Sequence, residues 1–227
     1  MSTWRIGSAN VVIARPYTDN LDGVSSDSDR LHLVRHGEVE NPGGIVYAGL
    51  PGFDLADRGR RQASSAAARL AARPVDTILS SPLKRAVETA HIIAALLGAD
   101  VTVDECLTEW GLLDRWAGHR WDDLDDRFPG ELAAYLADPT DLPFAPETLR
   151  ELATRAVEGI TTAWRSRSGG DVVVVGHQDP TQAAWRQLTG RSLDDFHADK
   201  PAHAAVVTLA PGLRRWRTVA VFTPSQR

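Results

Sequence analysis

Four consecutive valines, Val172 to Val175, lie between Gly169-Gly170 on one side and Gly176 on the other. A strand with one wet face alternates apolar and polar side chains. A run that is apolar at every position has to bury both faces, as the interior strands of a parallel sheet do. The run therefore predicts a central strand, and parallel neighbours oblige the chain to supply crossover helices around it. His177 follows the strand directly.

The rest of the chain supplies the partners. "LHLVRHGEVEN", residues 31 to 41, opens as a second buried strand through Leu31, Leu33 and Val34, and Gly37 breaks it just after Arg35 and His36. In "DLADRGRRQASSAAARLAAR" the alanines and Leu70 recur at helical spacing, with Asp57 placed to cap the helix and Pro74 to stop it. Val75 to Ser80 reads as a third strand. Behind it Ser81 is expected to cap a helix, with Pro82 at its first position and Gly98 past its last turn. The buried stripe of that helix is expected at Leu83, Val87, Ala90, Ala94 and Leu97. Arg85 then falls in the first turn, where unpaired backbone N–H groups and the helix dipole favour an anion. "ETLRELATRAVEGITTAWRSR" places Leu149, Leu152, Ala153, Ala156, Val157 and Ile160 on one helical face. "TQAAWRQLTG" gives another helix, and "AAVVTLA" and "RTVAVF" read as late strands paired around Pro211-Gly212. The fold expected is α/β, a three-layer α/β/α sandwich with a mostly parallel central sheet.

A length of 227 residues with 43% hydrophobic content suits one domain with a substantial core, expected over residues 31-227. Within it, an insertion at about 104-146 holds Trp110, Trp116, Trp121 and many aspartates. It reads equally as a lid over one end of the sheet and as a packed connection with a solvated acidic face. Residues 1-30 end in "GVSSDSDR", a linker composition, and read as a partly flexible N-terminal extension in which Trp4 to Arg15 forms either an added strand or a mobile arm.

The formal charge of -5 argues against a general nucleic-acid partner while permitting a local basic pocket. No apolar stretch approaches a membrane span, and Val11 to Ala14 is too short for a signal peptide. The single cysteine, Cys106, excludes an intrachain disulfide, argues against a thiolate metal site and reads as a small core residue. Its scarcity suits a reducing cytoplasm, where the chain is expected.

Two strands thus end in histidine and a third leads to an arginine at a helix start. Ligands in open α/β sheets bind beyond the carboxyl ends of the strands. Four separated motifs, "RHGE", "LADRGRRQA", "SSPLKRAVETA" and "VVVVGH", occur in that order, with "LTE" at Leu107 to Glu109 between the last two. Over roughly residues 31 to 210 the chain resembles the histidine phosphatase superfamily, the phosphoglycerate mutase-like proteins. It is more similar to the phosphatase branch, because "WGLLDRWAG" after Glu109 lacks the Tyr-Gly-containing stretch typical of the mutases.

The resemblance implies a role for each matching residue. His36 matches the nucleophile that becomes phosphohistidine. Arg35, Arg85 and His177 match the groups that hold the phosphoryl oxygens, and Glu109 matches the general acid. An arginine fork meets two phosphoryl oxygens at once and never loses its proton. Positive neighbours are expected to depress the pKa of His36 and keep it neutral enough to attack, so neither metal nor cofactor is required. Glu105, four residues before Glu109, is the alternative acid. Gly37, Asn41 and Gln178 are placed on the substrate side. Asn41 stands one residue nearer the histidine than the family's usual asparagine, and Gln178-Asp179 replace the usual small residues. His203, and with it His32, His91, His119 and His197, reads as structural.

"DDLDD", Asp122 to Asp126, matches a pattern by which prenyl-diphosphate enzymes hold magnesium, but its neighbours Arg127 and Pro129 make a solvated face the better reading. The implied activity is a metal-independent phosphomonoesterase acting on a small phosphorylated metabolite. A mutase-type phosphoryl transfer and a non-catalytic phosphate-binding module are the alternatives. The identity of the substrate and the oligomeric state are left open by the sequence.

Overall fold

The computed structural model describes residues 29–225. Apart from Asp29 and Arg30, the extension expected over residues 1-30 lies outside the described residues.

In chain order the elements are β1 (Leu31–Arg35), α1 (Asp57–Leu70), β2 (Val75–Ser80), α2 (Lys84–Leu97) and β3 (Asp100–Val103). Three short helices follow, α3 (Leu112–Arg115), α4 (Leu124–Arg127) and α5 (Glu131–Ala137). The chain then runs through α6 (Leu149–Ser166), β4 (Asp171–Gly176), α7 (Gln178–Thr189), β5 (Val206–Ala210) and β6 (Arg217–Phe222). The strands form one sheet in the order β3-β2-β4-β1-β5-β6. β3, β2, β4 and β1 are mutually parallel, and β5 and β6 add an antiparallel hairpin at one edge.

The valine strand β4 lies between β2 and β1 and is buried at all of its positions. Its alternation divides the core. Val172 and Val174 pack with Leu31, Leu33, Ala156, Ile160 and Ala184, on the side of α6 and α7. Val173 and Val175 pack with Ala66, Leu70, Ala90 and Ile93, on the side of α1 and α2. The sheet is thus covered on both faces, the three-layer α/β/α arrangement that the apolar run requires.

Two local expectations are corrected. α1 is preceded by Ala56, which makes no side-chain cap, and Asp57 is its first residue, where a carboxylate still suits the positive end of the helix dipole. α2 begins at Lys84 after an extended Leu83, so Pro82 stands outside it and Ser81 is not its cap. The buried face moves accordingly to Arg85, Ala86, Thr89, Ala90 and Ile93. Gly98 ends the helix at a φ of 70°, a left-handed conformation that glycine adopts without strain.

The segment from 104 to 146 builds a satellite core. Trp110, Trp116, Leu124 and Tyr135 are buried together with Leu149 and Leu152 of α6, Ala183 of α7 and Phe196. Asp122, Asp123, Asp125 and Asp126 are exposed, as a solvated face requires. Cys106 is half-buried beside Gly159 rather than part of the core. Among the described residues no helix is long and apolar enough to cross a membrane.

Candidate active site

The parallel ladder continues just past the strand ends. The His36 N–H donates to Gly176 O at 2.9 Å, and the Ser81 N–H donates to Val175 O at 2.9 Å. These bonds hold the residues after β1, β2 and β4 side by side at the carboxyl end of the sheet. The next residue is held by close packing. A Cβ on Gly37 would lie 2.5 Å from Gly59 O, and one on Gly59 would lie 2.0 Å from Glu38 O, so the loop rests directly on the start of α1. The Gly37 N–H donates to Thr89 Oγ1 at 3.1 Å. Gly37 therefore fixes the backbone after His36.

His36 is 1% exposed. Its Nδ1 lies 2.7 Å from Gly37 O. A carbonyl oxygen can only accept, so Nδ1 carries the proton and Nε2 keeps its lone pair. Burial, and after it the fields of His177, Arg85 and Arg35, holds the imidazole pKa well below its usual range. Desolvation leads, where the sequence argument invoked charge alone.

The cationic groups surround this ring. Arg35 Nη1 donates to Gln178 Oε1 and to Pro201 O, both at 2.9 Å, and its Nη2 lies 3.0 Å from His203 Nε2. Arg85, 1% exposed, donates from Nη2 to Ala48 O at 2.7 Å and places its guanidinium carbon 4.8 Å from the Tyr47 ring centroid. The His177 ring centroid is 5.3 Å from that of His36, and Ser81 Oγ lies 2.7 Å from His177 Nε2. Arg35 Nε, Arg85 Nε and His177 Nδ1 are buried without a hydrogen-bond partner among the described residues. Buried donors of this kind are costly unless a ligand's oxygens meet them. His203 is held neutral by burial and by Arg35, its pKa lowered to about 3, and its ring stands 5.6 Å from His36.

Glu109 is buried and accepts a hydrogen bond from the Trp110 N–H at 2.9 Å. Burial, and after it the neighbouring Asp179, pushes its pKa up to about 8, against the pull of Arg85 and Arg35. The carboxyl is thus primed to hold a proton before any phosphate approaches. Glu105 is exposed and accepts from Thr108 Oγ1 at 3.3 Å. Of the two glutamates, only Glu109 lines the pocket.

That pocket has a volume of about 270 Å³, and its walls include Arg35, Tyr47, Glu109, Trp121, Tyr135 and Asp179. Asp179 lies in the first turn of α7 and is 1% exposed. It accepts from Gln178 Nε2 at 3.2 Å and from the Tyr135 hydroxyl at 3.3 Å. Asn41 is used elsewhere: its side chain donates to Ile45 O at 2.8 Å and accepts from Ile45 N at 3.2 Å, bracing its own loop.

The structure thus brings His36, Arg35, Arg85, His177, Glu109 and Gln178 together and spends Gly37 and Asn41 on the loop. Sequence reasoning missed Ser81, Tyr47 and Tyr135 and read His203 as structural, whereas it meets Arg35 beside His36; Asp179 and Trp121 fall in stretches it had marked, Gln178-Asp179 and the 104-146 insertion. Two of the chain's three tyrosines line this pocket. Their scarcity was the available signal for those two, but Ser81 was hidden by its resemblance to a helix cap.

A buried histidine with a free ring nitrogen, set among two arginines and a second histidine beyond the carboxyl ends of parallel strands, is a site for a nucleophile and an oxyanion together. The histidine phosphatase superfamily (branch 1) is matched over residues 31–223, and the chain belongs to that family. Phosphoserine phosphatase 1 of Hydrogenobacter thermophilus is 34% identical over 74% of this chain and 79% of its own length. A 2,3-bisphosphoglycerate-dependent phosphoglycerate mutase of Thermoplasma acidophilum is 34% identical over 67% of this chain and 72% of its own. The structure of a mycobacterial glucosyl-3-phosphoglycerate phosphatase complexed with VO3 superposes with a TM-score of 0.76 at 29% identity, covering 87% of this chain and all of that one.

Proposed function

We propose that this chain hydrolyses phosphomonoesters of a small metabolite by way of a phosphohistidine on His36. The observation that carries the reading is the bond from His36 Nδ1 to Gly37 O, which leaves Nε2 as the free nucleophile inside the cationic cluster. Nε2 attacks phosphorus, the ester P–O bond breaks, and the leaving alkoxide takes the proton of Glu109. The Glu109 carboxylate then accepts a proton from water, whose oxygen attacks phosphorus. The N–P bond breaks, and inorganic phosphate departs. Arg35, Arg85 and His177 stabilise the equatorial oxygens through both steps, the task that a metal performs in other phosphoryl-transfer sites. Activity is expected to survive chelation by EDTA.

Rapid quenching with a labelled substrate tests the mechanism. It should trap one phosphoryl group per site, stable in alkali and labile in acid, on His36, and His36→Ala should lose both label and turnover. Label that persists in His36→Ala overturns the reading. The identity with a phosphoglycerate mutase makes phosphoryl return to substrate the competing reaction. Aryl phosphate turnover measured beside a bisphosphoglycerate-dependent mutase assay separates the two.

A further inference from the structure

The wall that faces the leaving group has a chemistry of its own. Apart from Arg35, which the phosphoryl group engages, the side chains that line the pocket include no cation among the described residues. They include two buried carboxyls, Glu109 and Asp179, each with its pKa raised by burial. Charge is already unwelcome at this wall, and a second anion brought against it has no partner. Arg85, the next cation, reaches the wall from the phosphoryl side, bonding Ala48 O at 2.7 Å, and Lys200, half-buried with Nζ 5.9 Å from the Tyr135 ring centroid, is offset by Asp179.

Gln178 aside, the rest of the wall is aromatic and aliphatic. Trp121 is 42% exposed at the pocket while its neighbour Trp116, ring centroids 6.1 Å apart, is fully buried. Tyr47, in the same wall, stacks on Phe53 at 5.1 Å. Large rings kept in water beside an active cleft are suited to cover a ligand's apolar face. The volume of about 270 Å³ confines that ligand to a small molecule.

We infer that the preferred substrate is the phosphomonoester of a small uncharged alcohol with an apolar or aromatic face, its hydroxyl donors directed to Asp179, rather than an ester whose alcohol carries a carboxylate or a second phosphate. This rests on the phosphatase reading above. It also separates this chain from relatives named for phosphoserine and glucosyl-3-phosphoglycerate.

Two matched pairs test it: glycerol 3-phosphate against 3-phosphoglycerate, and phenyl phosphate against 4-carboxyphenyl phosphate. In each pair the uncharged alcohol should be favoured in kcat/KM by about tenfold or more, the scale of one buried charge left without a partner. Asp179→Asn should bring both ratios toward unity. Trp121→Ala should raise KM for phenyl phosphate and leave KM for glycerol 3-phosphate nearly unchanged. Equal or faster turnover of the carboxylate-bearing esters, still dependent on His36, overturns this inference and leaves the phosphatase reading standing. A preference that Asp179→Asn does not alter, together with an unaltered KM in Trp121→Ala, removes the assignment to this wall. Failure to hydrolyse any of the four esters removes the phosphatase reading and the inference with it.

Discussion

Ser81 Oγ and His177 Nε2 lie 2.7 Å apart, joining the residue after β2 to the residue after β4. The bond fixes the plane of the His177 imidazole, whose Nδ1 has no partner among the described residues. Ser81 is thereby a positioning residue for a group that is expected to touch phosphate.

Replacing Ser81 by Ala should lower kcat by about tenfold to a hundredfold, the usual result of losing orientation in a charged site, with a smaller change in KM. Ser81→Thr, which keeps the hydroxyl, should recover most of the loss. A Ser81→Ala enzyme of normal kcat would show that the bond is only structural.

Glu109→Gln should slow alkyl phosphates by about a hundredfold and esters of acidic phenols far less, because only a poor leaving group needs the proton. Glu105→Gln, altered on an exposed side chain, should change neither. Linear free-energy plots against leaving-group pKa for the two variants decide the assignment.

Because the Glu109 pKa is raised, the proton-donating form is present at lower pH and lost as the pH rises through about 8. Turnover of alkyl esters should fall above that pH. Asp179→Asn removes a neighbour that raises this pKa, so the fall should move to lower pH. The depressed pKa of His36 keeps this proposed nucleophile neutral well below about 6.5, the ordinary imidazole value, so histidine protonation should not produce an acid limb near that pH. A pH–rate profile of wild type and Asp179→Asn reads all three effects.

Trp110 and Trp116 are wholly buried in the satellite core. Alanine at either position should cost about 3–5 kcal/mol in urea unfolding and should leave the ratios of kcat/KM among substrates unchanged. A change in those ratios would place these rings in contact with the leaving group.

Asp171 accepts from the Arg30 N–H at 2.7 Å, meets His32 at 2.8 Å and pairs with Arg73, and its pKa is held down to about 2. A carboxyl depressed in the folded state contributes stability above its unfolded pKa of about 3.9 and loses it as the pH falls toward 2. Asp171→Asn should therefore destabilise by about 3 kcal/mol at neutral pH and flatten the acid dependence, followed by denaturant unfolding against pH. Asp171 begins β4 and His177 follows its end, about 20 Å away at strand rise, so kcat of the folded variant should be preserved.

The sheet and its order of elements were legible because their signals are local. Val172 to Val175 require two buried faces wherever they lie, and glycine and proline punctuate the chain through their own backbone preferences. Arg35, His36 and His177 were legible for the same reason: each adjoins a strand end, and strand ends in a parallel sheet share one edge. Periodicity placed α6 correctly and misplaced the face of α2, whose expected cap Ser81 instead meets His177, a residue 96 positions away. Glu105 and Glu109 are the same residue type four positions apart, and local sequence gives no reason to bury one and expose the other. The three tryptophans of the 104–146 segment differ only in which packs under α6 and which is left at the pocket. Asp179 follows a readable histidine, but its carboxyl acquires its state from burial first and then from Gln178, Lys200 and Arg35, which the folded chain gathers around it. The sequence by itself determined the strands and the edge at which His36 and its cationic neighbours gather. Only tertiary packing decided which carboxyl holds a proton and which rings face a ligand, because burial and charge fields act between residues that are neighbours in space and strangers in the chain.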